Sequence, residues 1–298
     1  MKFQIVDAFT DKLFGGNPAG VVILGENDDF PDEEIMRKTA AELRYSETAF
    51  VKQLGEARFR TRYFTPAAEV ELCGHATIGT FYTLLQRGMI RAGKTYINET
   101  LSGTLEIAVE KSSILMDMAR PQIFGSIEGK EALEELYGIM GLAFEGQGLY
   151  VKKPELAFVP KMVSTGLTDI ILPVKDEAEL EKIAPDFAAL TELSRRYEVV
   201  GVHAFTCNGA DGLIHARNFA PLYDIDEEAA TGTSNGALTY YLHSYGLIEP
   251  EKIYTVVQGE KMGRPSKISA RLVIKGGEPL IKVGGFAVTL AEGEIHIS

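Results

Sequence analysis

Apolar and polar residues alternate at the start of the chain, which predicts a β-strand over residues 1–7. A short apolar run over 20–24 is typical of a buried strand, and residues 14–18 before it (FGGNP) are expected in a loop because they are rich in turn formers. An acidic first turn followed by apolar residues at helical spacing predicts a helix over 32–43. Two further strands, over 48–53 and 57–64, are expected to form a hairpin. The first half therefore combines strands with few helices.

Two later segments predict helices that are apolar on nearly every side, over about 75–87 and 234–244. A helix without a polar face is buried all round, as inside a curved sheet. Alternating strands are predicted after each helix, over 95–98, 103–109 and 114–119 in the first half and over 252–258, 267–274 and 280–283 in the second. Residues 125–147 are interpreted as the connection between the halves, and a last strand near 292–297 can return to the first.

The two halves also share residues in register. Ala49-Phe50, Arg62, Phe64 and Pro66 recur 155 positions later, and after three inserted residues Gly74, Tyr82, Leu84, Gly88 and Ile90 recur as well. Ten identities in the same order indicate an internal duplication. Two similar lobes are expected to enclose one cleft, to which each lobe supplies a helix N-terminus.

Length and charge fit this organisation. A chain of 298 residues exceeds the size of most single cores, so two lobes are expected. A net charge of −12 argues against nucleic acid and anionic membranes as partners. The two cysteines suit a reducing cytoplasm, and no leader or membrane segment is evident. Neither a CxxC nor an HExxH motif is present, so no metal site is expected.

The residues before the two buried helices can bind an anion. Cys73-Gly74-His75 and Thr231-Gly232-Thr233 precede them, and a helix start presents unpaired N–H groups and a positive dipole to a carboxylate. Ordinary capping by Thr233 or Ser234 is the alternative for either motif alone. Because the motif is repeated, we favour a pair of helix starts that grip one small carboxylic acid.

One acidic residue breaks the symmetry of the halves. Glu47 stands where the second half has Val202, and an asymmetric acid in a symmetric site suits a proton shuttle with one base. A surface position is the simpler alternative. His75 is interpreted either as a site residue or as a buried imidazole. Five other acids (Glu69, Glu71, Asp224, Asp226 and Glu227) are expected in solvated loops, and Cys207 is expected to pack on a strand.

At these motifs the sequence resembles a known family. FGGNPAGVV, YSETAF, RYFTPAAEVELCGHATIGT, RNFAP, EEAATGTSNGAL and QGEKMGRPS together resemble the PhzF family, the phenazine-biosynthesis-like proteins. The resemblance implies an α/β (α+β) fold like that of diaminopimelate epimerase, with two pseudo-symmetric lobes, each a curved mixed sheet around a central helix. The expected division is 1–122, joined by 288–298, and 123–287.

The resemblance also implies roles for single residues. The family's catalytic Glu matches Glu47, its Gly-His pair matches Gly74-His75, and its hydroxyl at the second helix start matches Thr233. The chain departs from the family at Glu228, where an Asp is usual, which argues against the phenazine precursor as substrate. Ser46, Cys73, Glu228 and Gly232 complete the expected substrate-binding residues.

The resulting hypothesis is an isomerase that moves a proton within a small carboxylic acid, with Glu47 as general acid and base and without a metal or organic cofactor. Glu47 suits this role if burial in an apolar cleft raises its pKa toward neutrality. A racemase with two thiols is disfavoured because Thr231 stands where the second Cys would be. The alternatives are an epimerase or dehydratase that depends on Cys73, and a carboxylate-binding protein without catalysis. A homodimer is also expected.

Overall fold

The computed structural model describes residues 1–111, 113–144, 149–150 and 157–296. It contains two compact units, residues 1–117 with 284–298 and residues 118–283. The sequence-based boundaries stood at 122 and 287. Residues 145–147 of the predicted connection and 297–298 of the predicted last strand lie outside the described residues.

The first unit contains nine strands and two helices among its described residues. They are β1 (Lys2–Ala8), β2 (Asn17–Ile23), α1 (Glu33–Leu43), β3 (Thr48–Gly55), β4 (Arg58–Phe64), β5 (Glu69–Val70), α2 (Gly74–Gln86), β6 (Lys94–Thr100), β7 (Gly103–Val109), β8 (Ile114–Asp117) and, from the end of the chain, β20 (Ala287–Glu294).

The second unit repeats this order with a longer helical insertion. Its elements are β9 (Gln122–Ser126), α3 (Lys130–Ile139), β10 (Leu149–Tyr150), β11 (Ala157–Phe158), β12 (Lys161–Ser164), β13 (Thr168–Pro173), α4 (Glu177–Lys182), α5 (Phe187–Tyr197), β14 (Val202–Thr206), β15 (Ile214–Ala220), β16 (Ile225–Glu228), α6 (Gly232–Ser244), β17 (Ile253–Gln258), β18 (Ser266–Lys275) and β19 (Glu278–Gly285), which ends in the first unit.

The strand pairings of the two units correspond step by step. The first unit has the order β20-β1-β2-β3-β4-β6-β7-β8, with β5 on β4. The second has β9-β12-β13-β14-β15-β17-β18, with β16 on β15. Each order contains two parallel pairs, at the same two positions. They are β2–β3 and β4–β6 in the first unit, and β13–β14 and β15–β17 in the second; the other pairs in the two orders are antiparallel. The structure thus repeats the duplication found in the sequence.

The central helices α2 and α6 are buried, as their apolar composition predicts. Nine of the thirteen residues of each are buried. α2 contacts β1, β2, β3, β8 and β20, and α6 contacts β12, β13 and β18. Small residues permit this enclosure: a Cβ at Gly236 would lie 2.5 Å from Oγ1 of Thr165. The strands of each unit therefore pack closely around its central helix, which positions the start of that helix.

Both helices also end in the same way. The N–H of Met89 donates to the carbonyl of Leu84, and the N–H of Leu247 donates to that of Leu242. The glycine before each donor, Gly88 or Gly246, has φ of 70°, which a residue with a Cβ adopts only with strain. The two glycines shared by the halves therefore close the two helices.

Several local predictions were wrong. Asn17 and Pro18, expected in a turn, begin β2. β14 ends at Thr206, so Cys207 is not on the strand. Glu69 and Glu227, expected in solvent, form ion pairs in which each carboxylate accepts two hydrogen bonds from Arg62 and Arg217 respectively. A carboxylate with an arginine opposite it is stabilised at a partly buried position, and apolar periodicity does not reveal such a partner.

Among the described residues, no helix is both long and apolar enough to cross a membrane.

Candidate active site

The starts of α2 and α6 have the same backbone arrangement. In α2 the first helical hydrogen bond runs from the N–H of Thr77 to the carbonyl of Cys73. In α6 it runs from the N–H of Asn235 to the carbonyl of Thr231. The three amides before each donor therefore have no acceptor within the helix. Neither Cys73 nor Thr231 caps its helix through its side chain, and capping by Thr233 or Ser234 is wrong because Thr231 is the N-cap. Both starts keep amides that can bind an anion.

Four polar side chains surround the imidazole of His75, the second residue of α2. Nε2 lies 3.2 Å from Oε2 of Glu47 and 3.3 Å from Oγ of Ser46. Nδ1 lies 3.2 Å from Nδ2 of Asn17 and 3.4 Å from Sγ of Cys73. The His75 side chain is 5% exposed and that of Glu47 is 20% exposed. The structure thus joins Ser46, Glu47, Cys73 and His75, all predicted, around one buried ring.

The protonation of Glu47 differs from the sequence-based expectation. Burial works to raise its pKa, but the hydrogen bond and the charge of His75 outweigh burial and lower the pKa of Glu47 to about 2. The rise toward neutrality that would suit a general base does not occur in the free protein, because the neighbouring His75 outweighs desolvation. Oε2 of Glu47 is buried and lies 3.2 Å from Nε2 of His75. The group is therefore a carboxylate that is paired with His75.

The partners of Glu47 have complementary protonation. Burial works against the charged form of His75, but contact with Cys73 and Glu47 raises the pKa of His75 well above its usual value. Burial raises the pKa of the Cys73 thiol to about 11, and the charge of Glu47 adds to this rise. Because the thiol is then protonated near neutral pH, the negative charge opposite the imidazolium is that of Glu47. The cluster is an ion pair beside a neutral thiol.

The start of α6 carries different side chains. Oγ1 of Thr231 donates to Oε2 of Glu228 at 2.5 Å. The side-chain amide of Gln258 makes hydrogen bonds to three residues here. Its Oε1 accepts from the N–H of Thr231 and from Nδ2 of Asn235, and its Nε2 donates to the backbone carbonyl of Glu228. Thr233 is half-buried. Glu228, Gly232 and Thr233, all predicted, therefore lie within one short stretch of the second unit.

In the described part of the chain, two groups of side chains have the spacing to hold a metal ion. The ligand atoms of Glu47, Cys73 and His75 all lie within 4.8 Å of one another. The same is true of Glu177, Asp211 and His215 in the second unit. The first group combines oxygen, sulfur and nitrogen ligands, which suits zinc. Sequence motifs alone did not reveal either group, because the ligands come from different elements.

Residues 6–293 match the family described as Phenazine biosynthesis-like protein, PhzC-PhzF. The chain belongs to this PhzF family. It is 32% identical over 289 residues to the uncharacterized isomerase YfhB of Bacillus subtilis, a match that covers 95% of this chain and 94% of the relative. It is 33% identical over 307 residues to an uncharacterized isomerase of Clostridium acetobutylicum, covering 98% and 97%.

A solved structure agrees with the assignment. The crystal structure of a phenazine biosynthesis protein of the PhzF family from Bacillus anthracis matches with a TM-score of 0.84 and 28% identity, over 100% of this chain and 99% of that one. The predicted fold is confirmed. The coarse function that the PhzF family and these relatives support is that of an isomerase.

Sequence reasoning missed several polar residues at the two helix starts. Asn17, which contacts His75, lies in the FGGNPAG motif but was interpreted as part of a turn. Gln258 and Asp169, which contact the first turn of α6, come from strands distant in the sequence. The signal for Asn17 was present in the motif, whereas pairing across the sheet is needed to find the other two.

Proposed function

We propose that the protein is a cofactor-independent isomerase that moves a proton within one small carboxylic acid. Glu47 removes a proton from one carbon of the substrate and returns it to another position of the same molecule. The overall reaction neither consumes nor releases a proton. Glu47 thus acts first as general base and then as general acid.

The observation that carries this proposal is the position of the Glu47 carboxylate beside the start of α2. Glu47 is ionised, its side chain is 20% exposed, and its Oε2 lies 3.2 Å from His75 Nε2. His75 belongs to the helix turn whose amides lack helical acceptors. A substrate carboxylate bound by those amides would place its carbon chain near a base.

A carboxylate with so low a pKa is a weak base, so substrate binding has to change its surroundings. A substrate carboxylate near His75 adds a negative charge and competes with Glu47 for the imidazolium. Both effects raise the pKa of Glu47, and loss of water from the site adds to the rise. We propose that Glu47 becomes an effective base only in the complex.

The start of α6 is also proposed to bind a carboxylate. Gly232 and Thr233 offer amides without helical acceptors and a half-buried hydroxyl. Negative charge that develops during proton removal is stabilised by such preorganised donors. The Thr231 hydroxyl already donates to Glu228, so it is engaged within the protein. Glu228 in place of the usual Asp is proposed to alter the substrate that this family member accepts.

The test is solvent exchange. Metabolites released from the purified protein, together with a panel of small carboxylic acids, are incubated with it in D₂O, and deuterium at carbon is measured by NMR and mass spectrometry. We expect uptake into at least one compound, unaffected by a chelator and absent with Glu47→Gln. Tight binding without exchange would indicate a binding protein. Exchange that is lost with the chelator would indicate a metal at the Glu47, Cys73 and His75 ligands.

A further inference from the structure

A second buried acid lies under the start of α6. Asp169 is the second residue of β13 and is 1% exposed. Its Oδ2 accepts a hydrogen bond of 2.6 Å from Oγ of Ser234, the third residue of α6. Its Oδ1 is buried and has no hydrogen-bond partner among the described residues. A buried carboxyl left half satisfied destabilises a fold, which suggests a role beyond stability.

The equivalent corner of the first unit belongs to the candidate active site. β2 and β13 hold the same place in the two pairing orders. From the start of β2, Asn17 reaches His75 in the first turn of α2, and from the start of β13, Asp169 reaches Ser234 in the first turn of α6. Both contacts join a strand start to the turn whose amides lack helical acceptors. The duplicated scaffold therefore places a titratable group beneath the second helix start.

The surroundings of Asp169 favour its neutral form. Burial raises the pKa of Asp169 to about 7, the hydrogen bond from Ser234 opposes this rise, and the charge of Glu228 on β16 adds to it. His203 on the neighbouring strand β14 is also buried, and burial lowers its pKa to about 4, so it is a neutral imidazole. The other charged or ionisable cationic side chains on the elements that pack against β13 or α6 are Lys161 on β12, His243 on α6, and Lys267, Arg271 and Lys275 on β18.

We propose that Asp169 is a positioning residue whose protonation allows the start of α6 to hold a carboxylate. The inference rests on the proposed carboxylate binding by Gly232 and Thr233. When Asp169 is ionised, the hydroxyl of Ser234 donates to it, and a second anion at the helix start is repelled. When a carboxylate binds, Asp169 takes up one proton from solvent and donates to Oγ of Ser234. The Ser234 hydroxyl then no longer donates to Asp169 and can donate its hydrogen bond to the bound anion.

The proposal predicts how affinity changes with pH. A group that is protonated in the complex and partly ionised in the free protein makes binding weaker as pH rises through its titration. Carboxylate affinity should therefore fall between about pH 6 and pH 8 by up to tenfold per pH unit, the limit for one proton taken up. A purely structural Asp169 would not produce this slope.

The experiment follows the Asp169 carboxyl directly. Protein with aspartate labelled with ¹³C at the side-chain carboxyl is titrated by NMR, and Asp169→Asn identifies the resonance. Oxalate, fumarate and benzoate are each added as probes, with potassium chloride at equal ionic strength as control. We expect a titration midpoint well above that of exposed aspartates, which at least one probe moves upward. Ser234→Ala should raise the midpoint further, since it removes the hydrogen bond that favours the ionised form.

A stability measurement supplies a second readout. The folded pKa of Asp169 is raised above the unfolded value, so the stabilisation it confers is complete below about pH 4 and is lost as pH rises through about 7. Asp169→Asn should therefore gain in melting temperature relative to wild type between pH 5 and pH 8, by at least ~2 °C. Asp226→Asn, an exposed change on β16, should show no such gain.

The outcomes separate this inference from the proposed function. An ordinary aspartate midpoint, or a midpoint that none of the probes moves, overturns the inference even if wild-type protein exchanges deuterium into a substrate. A midpoint that a carboxylate raises supports the inference even if no exchange is found, in which case the proposed isomerisation alone fails. Equal melting-temperature differences at pH 5 and pH 8 for Asp169→Asn would also contradict it.

Discussion

The starts of α2 and α6 share a backbone and differ in their side chains. Each begins after an extended N-cap residue and leaves its first amides without helical acceptors. In the first unit the neighbouring acid is Glu47, ionised and paired with His75. In the second unit, the position 155 residues after Glu47 is Val202, which is fully buried. The acid next to the start of α6 is Asp169, and burial raises its pKa to about 7.

This difference shows how a duplicated fold can separate binding from chemistry. The backbone amides, the helix dipoles and the closing glycines are the same in both units, so either helix start can receive an anion. At the start of α2 the Glu47 carboxylate has a cationic partner, His75, and its side chain is partly exposed. We infer that the first unit supplies the proton-transfer group, and that the start of α6 binds a carboxylate with a strength that depends on the buried Asp169.

The strongest test of this comparison is replacement of Glu47. Glu47→Gln keeps size and hydrogen-bonding capacity but cannot accept a proton from carbon. Deuterium exchange should fall by at least ~10², the usual contribution of a general base. Glu47→Asp, which keeps the acid but shortens it, should retain partial activity. Wild-type exchange rates in the Gln variant would show that the base lies elsewhere.

The duplicated arginine pairs allow a matched comparison of stability. Arg217 is 9% exposed and also donates to the carbonyls of Leu180 and Ile183, whereas Arg62 is 25% exposed. Because truncation would leave buried acceptors without a donor, Arg217→Ala should lower the free energy of unfolding by about 3–5 kcal/mol. Arg62→Ala should cost about 1 kcal/mol, as for more exposed pairs.

Urea unfolding followed by circular dichroism measures both variants, and lysine at each position serves as control. Lysine keeps the charge but not the two parallel hydrogen bonds of a guanidinium. We expect Arg217→Lys to recover only part of the loss. Equal losses for Arg217→Ala and Arg62→Ala would show that burial and the extra carbonyl contacts do not distinguish the two pairs.

Much of the fold was predictable from the sequence because its signals are local. The two central helices carry apolar residues on every side, and the repeated glycines mark their ends, so their positions were predicted within two residues. Asn17 was misplaced because Gly15, Gly16 and Pro18 around it favour turns, whereas pairing with β1 extends the backbone there. Pairing is a tertiary effect that overrides such preferences.

The candidate site was predictable in its membership but not in its electrostatics. The motifs identified Glu47, Cys73 and His75, but no sequence pattern reveals that Nε2 of His75 lies 3.2 Å from the Glu47 carboxylate. That distance reverses the direction of the pKa shift. Asp169 was not recognised because a single acid in an apolar strand has no periodic signal, and its partner Ser234 is far along the chain.

The pairing of Glu47 with His75 predicts the pH dependence of exchange. The Glu47 pKa of about 2 keeps the base ionised in free wild-type enzyme, so kcat/KM should have no acid limb between pH 5 and pH 7. His75→Asn removes the two largest lowering influences on the pKa of Glu47, the hydrogen bond and the charge of His75, so we expect this pKa to rise. Activity of that variant should therefore fall as pH decreases from 7 to 5.

Exchange rates at several pH values, at substrate concentrations well below KM, measure this limb. The double variant with Glu47→Gln checks that the limb belongs to Glu47, since it should remove what activity remains. A His75→Asn profile parallel to that of wild type over this range would mean that the imidazolium does not hold Glu47 in its ionised form.

The smallest effect is expected at Cys73. The thiol lies 3.4 Å from His75 Nδ1, but burial raises its pKa to about 11, so it is protonated near neutral pH. A protonated thiol is neither a base nor a strong nucleophile. Serine keeps its size and polarity, so Cys73→Ser should retain most of the exchange activity, as should Cys207→Ser, the matched change at the other cysteine. If Cys73→Ser lost activity as completely as Glu47→Gln while Cys207→Ser did not, the thiol would be the proton-transfer group, and the difference between the two helix starts would lie in Cys73 and Thr231 rather than in Glu47.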